Sequence, residues 1–280
     1  MVEPIKLIAL DLDDTLLRDD LTISFHTRNV IKKIEEQGVL VVLASGRSPK
    51  AMERYARDLA LHKRPGYLIC NNGTTVLESH TGTVVEEFLL PTEAAQAVFD
   101  LVDAEGFPVQ IYDEDTIYVS RRNEYADIDQ KLTGLRQVVV ENFRGLIATG
   151  IQKMVIPGDP MLLQPLEVLM KSVIGDRVTI FTSKPYFLEI LPPAAGKGEA
   201  LAIVAQRLGL SPSQVMAIGD SMNDESMIRW AGVGVAMVNG DPRIKAIAAR
   251  ITKKSNQDDG VADFLEGFFW GSDSSIQRKA

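Results

Sequence analysis

The stretch Ile8-Ala9-Leu10-Asp11-Leu12-Asp13-Asp14-Thr15-Leu16-Leu17 decides the fold. It continues an apolar run that starts at Ile5 and lacks polar alternation, the pattern of a strand buried on both faces of a parallel sheet. Three carboxylates then fall within four positions, Asp11, Asp13 and Asp14. Like charges so close repel one another, and a buried strand end carrying them calls for a positive partner.

Outward from that stretch the chain alternates strand and helix. A helix near Ser24–Gln37 is closed by Gly38, strand Val39–Ala44 follows, a helix starts at Pro49, and a short strand spans Tyr67–Cys70. The theme returns late, with a helix from about Gly198 to Leu208, strand Gln214–Ile218, a helix near Asp224–Trp230 and strand Val233–Met237. Asp241-Pro242 then reads as a helix start, aspartate as N-cap and proline in the first turn. The middle is different in kind. Val109–Tyr112 and Thr116–Ser120 flank Asp113-Glu114-Asp115 as a hairpin, and Gln152–Ile156 and Val178–Phe181 read as strands around a helix at Met161–Val173. Prolines punctuate the chain near Leu90-Pro91 and at Pro192-Pro193. The expected architecture is α/β, a parallel-sheet Rossmann-like core of residues 1–84 and 190–270. An α+β domain, residues 85–189, is inserted into it, and residues 271–280 form a flexible tail.

Ligands of an open α/β sheet bind outside the carboxyl ends of its strands. The first strand delivers Asp11, Asp13 and Thr15 there; the second, Ser45-Gly46-Arg47; the third, Asn71-Asn72-Gly73; the late one, Gly219-Asp220-Ser221-Met222-Asn223-Asp224. Lys197 starts the helix before that late strand, where a lysine opposes the helix dipole, which favours a functional reading over a solvated one. Acids from two distant segments on one rim make a hard, all-oxygen cation site that suits magnesium. Lys197, Arg47 and the Ser45 hydroxyl are groups that bind phosphate oxygens.

Together these residues resemble the haloacid dehalogenase superfamily, in particular its Cof-type phosphatase branch with a C2-type cap. The family's Asp-x-Asp-x-Thr motif stands as Asp11-Leu12-Asp13-Asp14-Thr15, with Asp14 where many relatives have glycine. The motif serine is Ser45, the motif lysine Lys197, and the last motif Gly219-Asp220-Ser221-Met222-Asn223-Asp224. The resemblance implies Asp11 as nucleophile and Asp13 as general acid and base. It implies magnesium held by the Asp11 side chain, the Asp13 backbone carbonyl and Asp220, with Asp224 in support. Phosphate would be bound by Ser45, Lys197, Asn223 and the amides of Leu12 and Gly46, while Thr15 and Arg47 support the site. It further implies a small phosphorylated metabolite as substrate, a sugar phosphate or a phosphorylated cofactor, with the inserted domain as cap. Arg121, Arg122, Lys153 and Lys184 are candidates for substrate selection. A phosphomutase of the same superfamily and a catalytically silent phosphometabolite-binding regulator are the alternative readings.

Composition agrees. The 280 residues are 45% hydrophobic and 24% charged with a net charge of −8, and there is no basic stripe with interleaved aromatics, which disfavours nucleic acid. No apolar run reaches the ~18–20 residues of a membrane span, and the N-terminus lacks a signal-peptide pattern. Cys70 is the only cysteine, so no internal disulfide exists and a cytoplasmic setting is expected. A monomer or small homo-oligomer is expected. A calcium loop fails because Leu16 occupies the required glycine position and Thr22 that of the bidentate glutamate. A dinucleotide fingerprint at Gly232–Gly240 fails at Met237. His26, His62 and His80 are scattered and read as ordinary surface or packed residues. Asn71 and Asn72 read as turn residues, and Met222, Met227, Phe264, Phe268 and Phe269 as core.

Overall fold

The computed structural model describes residues 3–113, 115–193 and 195–271. Glu114, at the expected hairpin tip, and residues 272–280 of the expected tail lie outside the described residues. The chain divides into two compact units. The first comprises residues up to 46, then 52–85, then 196 onward; the second comprises 47–51 and 86–195.

Among the described residues, seven strands and α-helices precede the insertion: β1 (Leu7–Leu10), α1 (Phe25–Glu36), β2 (Leu40–Ala44), α2 (Pro49–Asp58), β3 (Tyr67–Cys70), β4 (Thr75–Glu78) and β5 (Val84–Glu87). Ten follow: α3 (Thr92–Ala104), β6 (Gln110–Asp113), β7 (Thr116–Val119), α4 (Glu124–Thr133), β8 (Arg136–Val139), α5 (Phe143–Ile147), β9 (Met154–Pro157), α6 (Pro160–Ile174), β10 (Thr179–Lys184) and β11 (Phe187–Leu191). The chain then returns through α7 (Lys197–Arg207), β12 (Val215–Gly219), α8 (Glu225–Trp230), β13 (Val233–Ala236), α9 (Pro242–Ile247), β14 (Arg250–Ile251) and α10 (Gly260–Trp270).

In the first unit the strands lie in the order β14-β13-β12-β1-β2-β3-β4-β5. From β14 to β3 every pairing is parallel; β4 then turns back antiparallel on β3, with Cys70 opposite Thr75. The reason for the uninterrupted apolar strands is visible in β1. Ile8 and Leu10 enter one buried cluster with Val30, Ile31 and Ile34 of α1 and Val261 and Leu265 of α10. Leu7 and Ala9 enter another, on the opposite face, with Leu201 and Val204 of α7 and Met227 and Ile228 of α8. All four β1 residues are fully buried, and each large one contributes roughly 1.5–3 kcal/mol relative to exposure. Local signals set the helix ends. Ser24 accepts the Thr27 amide at 2.9 Å to start α1, and Asp241 accepts the Arg243 amide at 2.8 Å to start α9.

The second unit is a six-stranded sheet in the order β10-β11-β9-β6-β7-β8. Its pairings are antiparallel except β7 with β8. One face packs on α3 and α6 through Val98, Val102, Ile111, Ile156, Leu166 and Met170. Among the described residues, no helix is long and apolar enough to cross a membrane.

Candidate active site

The acids meet because β1 lies beside β12 in parallel register. Leu10 pairs with Ile218, and the Asp11 amide donates to the Ile218 carbonyl at 3.0 Å. The two strands therefore end together, and each hands its next polar residue to the same rim. Asp11, Asp220 and Asp224 each offer a carboxylate oxygen within 4.8 Å of the other two.

One ammonium faces this group. Lys197 is fully buried at the first position of α7, 2.5 Å from Asp11 Oδ1 and 2.6 Å from Asp224 Oδ1. Asp224 spends its other oxygen on the backbone, accepting the amides of Asp220 at 2.9 Å and Ser221 at 3.1 Å. Thr15 donates its hydroxyl to Asp220 Oδ1 at 3.1 Å, joining the two acidic segments across 205 positions of sequence.

The charge balance is uneven. Burial and the neighbouring Asp224 carboxylate push the Asp11 carboxyl up to about 7, against the opposing pull of Lys197. Asp220 is raised well above the ordinary range by burial and by Asp11 and Asp224. Burial alone would favour a neutral Lys197, but Asp11 and Asp224 outweigh it and hold the ammonium charged. Three carboxyls share one ammonium, so ionising all of them calls for a further positive charge, which a hard divalent cation supplies to such a set of oxygen donors.

The remaining expected residues fall as follows. Asp13 is half-buried and extended, and Asp14 is exposed with a left-handed backbone, φ 60°. Leu12 is fully buried. Ser45 is buried at the end of β2; its amide donates to the Ile69 carbonyl and its carbonyl accepts the Asn72 amide, both at 2.9 Å. Gly46 closes the first stretch of the first unit, whereas Arg47, buried, groups with the second unit. Asn223 donates its side-chain amide to Asn72 Oδ1 at 3.0 Å and accepts the Ser221 hydroxyl at 2.6 Å.

Asn72 is the residue that sequence reasoning undervalued. Asn71 and Asn72 are turn residues, both left-handed, at φ 50° and 57°. Yet Asn72 is buried, and its side chain reaches Asn223 across 151 positions. Only an Asn-Asn-Gly sequence directly after a strand hinted at it. Gly73 explains why the turn must be glycine-tipped. Its φ is +92°, and a Cβ there would stand 2.1 Å from the Gly196 carbonyl oxygen. The β3–β4 turn thus presses directly on the backbone that introduces Lys197.

Of the candidates for substrate selection, Lys153 is buried, 3.2 Å from Glu189 and 4.6 Å above the Tyr112 ring. Arg121 engages the Asp103 carboxylate and the Gly106 carbonyl. Arg122 is exposed three residues beyond β7, and Lys184 ends β10. Cys70 is buried, and burial raises its thiol pKa, which keeps it unreactive.

Comparison with known proteins agrees with this arrangement. Residues 8–265 match the haloacid dehalogenase-like hydrolase family. The chain is 34% identical over 260 residues to the 5-amino-6-(5-phospho-D-ribitylamino)uracil phosphatase YcsE of Bacillus subtilis (strain 168), covering 92% of this chain and 93% of that protein. It is 29% identical over 241 residues to the HMP-PP phosphatase of Escherichia coli O6:H1, covering 86% and 87% of the two chains. A haloacid dehalogenase-like hydrolase from Bacteroides thetaiotaomicron superposes with a TM-score of 0.84 at 32% identity, over 95% of this chain and all of that one. With a whole-length family match, relatives above 30% identity and the strand-end cluster of acids and lysine, the chain belongs to the haloacid dehalogenase-like hydrolases, among the Cof-type phosphatases of that superfamily.

Proposed function

We propose that this enzyme is a magnesium-dependent phosphatase of small phosphorylated metabolites working through an aspartyl-phosphate. The observation that carries the reading is the convergence of Asp11, Asp220 and Asp224 around buried Lys197. Asp11 attacks phosphorus, forming an Oδ–P bond as the ester P–O bond breaks. Asp13 protonates the departing alkoxide, then takes a proton from the water that attacks the aspartyl-phosphate. That second displacement frees inorganic phosphate and regenerates Asp11. Lys197, Ser45 and Asn223, with the amides of Leu12 and Gly46, bind the transferring phosphoryl group. Most of the rate enhancement in such a reaction comes from positioning and from preorganised positive charge.

Asp11, Asp220 and the Asp13 carbonyl would hold the magnesium, with Asp224 in support. The cation supplies charge neutralisation at the phosphoryl oxygens. The all-oxygen donor set, and the opposition to ionising it without a further positive charge, support that assignment. Thr15 braces Asp220. The relatives' names, one specifying a phosphoribitylamino uracil and the other HMP-PP, support a small phosphorylated substrate.

Asp11→Ala tests the nucleophile. The variant is expected to keep its circular-dichroism spectrum while magnesium-dependent phosphate release from p-nitrophenyl phosphate falls by roughly 10⁴-fold or more. Turnover within tenfold of the parent would refute the assignment.

A further inference from the structure

The loop that carries Asp11 and Asp13 is held in an unusual shape by residues that no step above uses. After extended Asp13 (φ −70°, ψ 130°) the chain turns left-handed at Asp14 (φ 60°, ψ 5°), and the Leu17 amide closes the loop on the Leu12 carbonyl at 2.8 Å. A non-glycine residue in the left-handed region is disfavoured and persists only where its surroundings hold it.

What holds it comes from far along the chain. Asn239 Nδ2 donates to the Asp14 carbonyl at 2.8 Å. Asn256 Nδ2 donates to the Leu17 carbonyl at 2.9 Å. The two asparagines are themselves joined, since the Asn256 amide donates to Asn239 Oδ1 at 3.3 Å. Asn256 is buried, and so is the bond it makes. The turn that carries Asn239 is also fastened to the other half of the acidic cluster. The Asp241 amide donates to the Asp220 carbonyl at 2.7 Å and the Met237 amide to the Gly219 carbonyl at 2.9 Å. Gly240 packs so closely that a Cβ would lie 2.7 Å from the Asp220 carbonyl oxygen.

We propose that Asn239 and Asn256 are positioning residues, a paired-amide brace that fixes the Asp11–Leu17 loop in its left-handed turn and sets it against Asp220. The brace grips both ends of the turn, Asp14 and Leu17, by their carbonyls. Through one short turn of chain it links the segment bearing Asp11 and Asp13 to the segment bearing Asp220. Asn239 touches no reacting atom in this scheme; it acts through the backbone of Asp14. In its activity arm the inference rests on the phosphatase reading above, whereas the exchange arm does not.

The test combines Asn239→Ala, Asp14→Gly and the double variant. Glycine adopts φ 60° without cost, so it supplies the turn without the brace. Two measurements are made on each full-length protein: amide hydrogen exchange of Leu17, and kcat and KM for p-nitrophenyl phosphate with magnesium. Asn239→Ala is expected to speed Leu17 exchange and to lower kcat by roughly ten- to hundredfold, the cost of misplacing a reacting group, with KM within about twofold. In Asp14→Gly/Asn239→Ala both readouts return toward the parent. Unchanged Leu17 exchange in Asn239→Ala overturns the brace, as does a kcat loss that Asp14→Gly fails to relieve. Faster exchange relieved by Asp14→Gly in a protein inactive toward phosphate esters would uphold the brace and refute the phosphatase reading.

Discussion

Single residues in this protein are read best through their charge environment. Lys197 is informative because its two partners, Asp11 and Asp224, come from strand ends 213 positions apart in sequence and still lie within 2.6 Å of one ammonium. Glu35 shows the same physics where no chemistry is expected. It lies in the last turn of α1 beside Arg64, with Oε2 3.0 Å from the guanidinium, yet burial outweighs that partner and pushes its carboxyl from 4.5 up to about 7. A raised carboxyl contributes its stability below the unfolded value and loses it as pH rises through the folded one. The protein therefore loses stability on Glu35's account between about pH 4.5 and 7. Glu35→Gln carries no charge at either end. Its unfolding free energy relative to the parent is expected to rise by about 1 kcal/mol from pH 5 to pH 8, the full shift being discounted for solvent screening. Urea titrations at the two pH values measure it, and a pH-independent difference would show that the carboxyl titrates normally.

At the scale of elements, the sequence announced what local chemistry controls. Strand Tyr67–Cys70 and the start of α2 at Pro49 fall where the pattern put them. Asp241 was legible as a cap because an N-cap acts within three residues of itself. The β3–β4 turn was not legible in the same way. Asn71-Asn72-Gly73 signals a turn, but β4 is four residues long and runs antiparallel to β3, a departure from the parallel pattern that periodicity does not reveal. Its consequence is testable. Gly73→Ala would place a methyl 2.1 Å from the Gly196 carbonyl oxygen at a left-handed position. The expected result is a loss of more than about 2 kcal/mol in denaturant unfolding. Activity is expected to fall too, because the displaced backbone leads into Lys197. Gly73→Ala with unaltered stability would mean that the turn tolerates a shift away from α7.

At the scale of the whole molecule, the first unit trades stability for a site. Asp11, Asp220 and Asp224 are brought together against their mutual repulsion, and Lys197 offsets only part of it. Burial, Asp11 and Asp224 oppose ionisation of Asp220, so at a pH high enough to ionise it an uncharged amide there should relieve the metal-free fold. In EDTA, Asp220→Asn is expected to unfold about 2–4 °C above the parent, equivalent to roughly 1 kcal/mol in a protein of this size. Added magnesium should raise the parent's midpoint and leave the variant's nearly unmoved. A parent indifferent to magnesium, or a variant less stable than the parent in EDTA, would remove the cation from the site.

The sequence by itself determined the α/β class, the burial of β1 on both faces and the identity of the polar groups at each strand end. Those features are written in composition and period, which local chemistry obeys. Only the tertiary structure decided which of those groups meet. It set Asn72 against Asn223 and laid the amides of Asn239 and Asn256 on the loop of Asp11. It also grouped Arg47 with the second unit rather than the first. The reason is that contacts between residues more than a hundred positions apart depend on strand order and register, and a local pattern in the chain carries neither.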